Sequence, residues 1–60
     1  MFRTGQNVRV LDQHNAYRGR VGRVICIAVY GGVQILTVGV PTGAGGEVTF
    51  ALRETEAEAA

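Results

Sequence analysis

Val21-Gly22-Arg23-Val24-Ile25-Cys26-Ile27-Ala28-Val29-Tyr30, then Gly31-Gly32, then Val33-Gln34-Ile35-Leu36-Thr37-Val38-Gly39-Val40, is the stretch that decides the fold. β-Branched residues crowd both runs, which argues for strands over helices. The Gly-Gly pair between them is the two-residue signal for a hairpin with a primed turn. Apolar residues fall on both faces of the first run. Val21, Ile25, Ile27 and Val29 occupy one face, and Val24, Cys26, Ala28 and Tyr30 the other. That is more apolar surface than one small interior absorbs, so part of it is expected to form an exposed patch of the kind that marks association sites. The expectation is a homo-oligomer or a fixed subunit of a larger complex. Cys26 reads as a small buried hydrophobe. As the lone cysteine it has no intrachain partner, which fits a reducing compartment.

Working outward, Gly5-Gln6-Asn7 reads as a turn. Val8 and Val10 then alternate with Asn7 and Arg9 as a half-buried strand ending near Leu11. Asp12 to Arg18 is a polar loop carrying His14, Asn15 and Tyr17, and loops of this kind tend to bind. Pro41-Thr42-Gly43-Ala44-Gly45-Gly46 forms a second long turn. Val48, Phe50 and Leu52 then alternate with Glu47, Thr49, Ala51 and Arg53 as a further strand. Residues 54–60 have helix-forming composition but are too few to hold a helix in water. They are expected to be an acidic tail, disordered or forming one helical turn, behind a barrel spanning residues 1–53.

Four to five short strands with Gly-rich turns point to an all-β chain whose bent sheet closes on itself, an SH3-like small barrel, since closure removes exposed edges. A chain of 60 residues hides only about 60% of the surface its unfolded form exposes, so its core is marginal. No apolar stretch is long enough to span a bilayer, and the N-terminus lacks a secretion-signal layout. The chain reads as soluble and cytoplasmic, with no membrane insertion. Its formal net charge of +1 conceals two unlike ends. Residues 1–23 hold five Arg against Asp12, whereas residues 24–60 hold Arg53 against Glu47, Glu54, Glu56 and Glu58.

The candidate site is Arg18-Gly19-Arg20-Val21-Gly22-Arg23. Its three guanidiniums offer planar forks to phosphate or carboxylate, and Gly19 and Gly22 shape the bend. Gly31 and Gly32 shape the hairpin turn. Tyr17, Arg9 and His14 complete a basic rim with one aromatic, the parts that grip a phosphate backbone and stack an unpaired base. Catalytic and metal-binding patterns are lacking. His14 is the only histidine, the Glu residues of the tail are expected to be solvated, and the Gly cluster 43–46 has no Lys beside it to make a phosphate loop. The reading is a chain that is not an enzyme and uses no cofactor or metal.

The pattern Gly5-x-x-Val8-x-Val10, a polar loop, then Arg18-Gly19-Arg20-x-Gly22-x-Val24 resembles the KOW motif of ribosomal proteins and NusG-type elongation factors, over about residues 5–40. That resemblance implies an SH3-like barrel contacting RNA or protein in a larger assembly, although the motif is commonly richer in Lys. Over residues 2–24, Phe2-x-x-Gly5-x-x-Val8-Arg9-Val10 with Tyr17-Arg18-Gly19-Arg20-Val21-Gly22 is similar to the C-terminal barrel of the nitrile hydratase β subunit. It implies an accessory subunit whose partner holds the chemistry. The Gly-x-x-Val-Arg start is also similar to that of the small SH3-like subunit of photosystem I. Ala16 to Val21 resembles the first bend of type II dihydrofolate reductase, a homo-oligomeric pore enzyme. Its functional Val-Gln-Ile-Tyr slot is held here by Val48-Thr49-Phe50-Ala51, so reductase activity is not expected. Val33-Gln34-Ile35-Leu36 lies one strand too early.

Overall fold

The computed structural model describes all 60 residues. Five antiparallel strands form one sheet: β1 (Asn7–Val10), β2 (Val21–Tyr30), β3 (Val33–Pro41), β4 (Glu47–Arg53) and β5 (Ala57–Ala59), with a 3-10 turn (Glu54–Glu56) between the last two. Their spatial order is β4-β3-β2-β1-β5. Gly31 and Gly32 both take positive φ, 58° and 81°, the left-handed backbone that a two-residue primed turn demands. The hairpin, the two alternating strands and the polar loop thus lie where the sequence puts them.

One core fills the concave face. Val8 and Val10 of β1, Val24 of β2, Leu36, Val38 and Val40 of β3, Leu52 of β4 and Ala57 of β5 make a single cluster. Because β4 and β5 are opposite edges yet feed the same cluster, the sheet is strongly curled. It is not closed: β4 and β5 are joined by the 3-10 turn and not by a ladder, so barrel closure is absent from the hydrogen bonding. No helix is long and apolar enough to cross a membrane.

Three expectations are corrected. The two faces of β2 do not alternate without interruption, because the β2–β3 register shifts between Val24 and Cys26. This bulge adds a residue at Ile25 and reverses the parity of the strand. Val24 faces the core opposite Val38, and after the bulge it is Ile27, opposite Leu36, that packs against the core. The same reversal turns Cys26 outward, and it is exposed, not buried.

The acidic tail does not fray. Leu11 N–H donates to the Glu56 carbonyl (2.8 Å) and Ala60 N–H to the Asn7 carbonyl (3.1 Å), so β5 lies along β1. Its carboxylates cap backbone instead of only meeting solvent. Glu56 Oε1 accepts from Arg53 N–H at 2.9 Å, and Glu54 Oε1 accepts from Gln34 N–H at 2.9 Å. Gln34 itself, 8% exposed, is a clamp. Its Oε1 accepts from Phe2 N–H (2.9 Å) and its Nε2 donates to the Phe2 carbonyl (3.2 Å). One amide side chain thus fixes the N-terminal segment, and its own backbone holds the 3-10 turn. A buried amide so fully paired is structural.

Candidate functional site

Side chains of β1, β2 and β3 that point away from the core meet around a missing one. Asn7 of β1 lies opposite Arg23 of β2, Arg23 opposite Gly39 of β3, and Pro41 opposite Glu47 of β4. Gly39 has no side chain, so a depression opens there: a groove of about 310 Å³ lined by Asn7, Val21, Gly22, Arg23, Gly39, Pro41 and Glu47. The Glu47 carboxylate leans over Gly39, where an added Cβ would stand 2.6 Å from its Cδ and 2.8 Å from each oxygen. Below, Gly22 is needed for a different reason. A Cβ there would meet the Gly39 carbonyl oxygen and Val38 Cγ1 at 2.7 Å and Val40 Cγ2 at 2.9 Å, so β2 and β3 approach closely only because position 22 is bare.

The residues singled out in the sequence are divided by this geometry. Arg23 is exposed and lines the groove. Arg20 stands on its rim, its Nη2 donating to the Pro41 carbonyl at 3.3 Å. Arg9, opposite Val21, sends its Nη1 to Glu58 Oε1 at 3.1 Å, the one ion pair of the molecule. Arg18 is exposed in the loop, on a turn closed by its N–H to the Asn15 carbonyl (3.1 Å), beside Gly19 with φ 84°. His14 is also exposed there, its backbone N–H held by Asp12 Oδ1 at 3.0 Å.

Tyr17 is placed differently from a free stacking platform. It is half-buried against the core, its ring stacked on Phe50 with centroids 5.9 Å apart and planes 15° from parallel. Asn15 Oδ1 holds its backbone N–H at 2.8 Å and so aims the ring inward from the loop. The aromatic and the arginines therefore do not share one surface in the way an RNA-stacking rim requires.

Sequence reasoning missed Asn7, Gly39 and Pro41 as neighbours of Arg23. With Glu47 they come from three other strands, and only the register brings the groove together. Chemically the groove offers a cation on one wall, a carboxylate on another, an amide, and a floor where backbone can approach closely. No protein-family model matches this chain, nor does any curated protein or solved structure. The residues themselves carry the functional argument.

Proposed function

We propose that the chain is a non-catalytic SH3-like module of KOW type that docks a protein segment within a larger assembly, seating it in the groove at Gly39. One observation carries this reading: Arg23 and Glu47 line the same depression with opposite charge over a floor without a side chain. A peptide bearing both a base and an acid satisfies both residues, and charge matching of this kind governs partner choice. A polyanion does not. Glu47 repels it, Arg9 is already neutralised by Glu58, and Tyr17 is committed to Phe50. RNA is nevertheless the second reading, because Arg18 and Arg23 form no ion pair.

The test is recovery of the tagged chain from its own cell, with nucleic-acid absorbance recorded on the complex. A stoichiometric protein free of nucleic acid is expected. Gly39→Ala fills the groove floor while displacing only the flexible end of Glu47. It is expected to abolish capture and leave the melting temperature nearly unchanged, and Arg23→Glu is expected to weaken capture as strongly. A salt-sensitive gel shift on single-stranded RNA, lost on changing Arg18 and Arg20 to Ala, would instead establish the RNA reading.

A further inference from the structure

The far half of the hairpin has an open side. β1 pairs with β2 only through Val21, Gly22 and Arg23, and the last bonds from this side reach Val24, whose carbonyl accepts from Gly5 N–H (2.7 Å) and whose N–H donates to the Gln6 carbonyl (2.9 Å). From Cys26 to Tyr30, β2 has β3 on one side and no strand of its own chain on the other.

Which backbone groups lie open follows from the register. Tyr30 and Val33 close the two-residue turn and are a hydrogen-bonded pair. Alternation along an antiparallel ladder makes Ala28 with Ile35, and Cys26 with Thr37, hydrogen-bonded pairs as well. The N–H and C=O groups of Ile27 and Val29 therefore point to the empty side.

We infer that two copies of this chain join there, β2 to β2, antiparallel about a two-fold axis at Ala28. Three features favour a second copy over another occupant. The open groups belong to Ile27 and Val29, symmetrically placed about Ala28, so an antiparallel copy sets Ile27 against the copy's Val29 and the reverse. Each such pair exchanges two hydrogen bonds, and the interface is self-complementary as a two-fold demands. No Asp, Glu, Lys, Arg or His occurs from Val24 to Gly46, so identical surfaces meet without like-charge repulsion. The arm is also apolar where it is bare: Val29 is 62% and Tyr30 70% exposed.

Natural sheets blunt edges with charge, Pro or a bulge, and the bulge of β2 lies before this segment. Of the two edge strands, β4 is guarded by Glu47 and Arg53, whose N–H is already taken by Glu56, and β5 is only three residues long with Glu58 at its centre. In the paired dimer Ala28 faces its own copy as a non-hydrogen-bonded pair, with Cα atoms about 4.5 Å apart. That lies within the span a disulfide bridges. Cys26 lies across from the copy's Tyr30 and has no thiol partner.

The full chain, purified alone, tests this by light scattering during gel filtration at micromolar concentration. A dimer is expected, and a monomer throughout overturns the inference. Val29→Pro deletes an N–H that no group of the chain accepts, which an edge strand tolerates. It is expected to give a folded monomer, and a Val29→Pro dimer overturns the inference. Should that variant fail to fold, Ala28→Cys with Cys26→Ser decides: oxidation is expected to link the chains nearly completely. Thr49→Cys with Cys26→Ser, on the β4 edge, is expected to stay unlinked. Linking at position 49 and not at 28 overturns the proposal.

Discussion

The two halves of the β2–β3 hairpin share composition and differ in neighbours. Near its base, Val24 and Val38 are wholly buried between β1 and β4, with Gly22 packed so closely that a methyl group finds no room. Toward its tip, the equally apolar Val29 and Tyr30 stand in solvent, and nothing lies within 4 Å of a Cβ placed on Gly31 or Gly32. Apolar character alone therefore does not define a core. What defines it is flanking by strands on both sides together with the curl that folds two edges over one centre.

That contrast is open to attack by mutation. The largest effect is expected for Leu36→Ala, which empties a fully buried site and costs about 2–5 kcal/mol in urea unfolding. Tyr30→Ala, measured as a monomer, shifts stability by less than about 0.5 kcal/mol. Equal effects would erase the distinction between the flanked and the bare positions of the hairpin.

Next comes a pair of glycine substitutions with different causes. Gly22→Ala forces backbone and two valines apart, for about 1–3 kcal/mol. Gly31→Ala meets no atoms and loses only the positive-φ preference, about 1–2 kcal/mol. The two are told apart in double variants: Val38→Ala, which removes one of the three atoms the new methyl meets, costs less beside Gly22→Ala than alone, and costs the same beside Gly31→Ala as alone.

The smallest effect belongs to Arg9 and Glu58. Both are about half exposed, and either change to Ala costs at most about 1 kcal/mol. The loss shrinks when the melt is repeated in high salt.

Much of this was legible because period and turn chemistry agree. Val8, Val10, Val48, Phe50 and Leu52 alternate, and Gly31-Gly32 permits one kind of connection. The bulge at Ile25 was hidden because a run apolar on both sides gives no signal when its parity reverses, and the placement of Cys26 was misread with it. β5 was hidden for another reason. Ala57-Glu58-Ala59 has little strand preference, and what makes it a strand is long-range: bonds to β1 and burial of Ala57. The arginines were readable as a basic bend, but Glu47 is 24 residues beyond Arg23 in the chain. Only the pairing through Gly39 joins them. Tyr17 looked like part of the same rim until Phe50, from the far edge strand, met its ring.

The Gln34 clamp makes the integrity of the domain depend on its first residues. The buried amide grips the main chain of Phe2 while the Phe2 ring packs against the core, so an exopeptidase that shaved off two residues would strand both ends of that amide at the start of β3 and strip the ring from the core. Met1 projects freely into water, so a fusion partner appended at that end should be borne easily, whereas trimming at the same end should loosen the whole sheet.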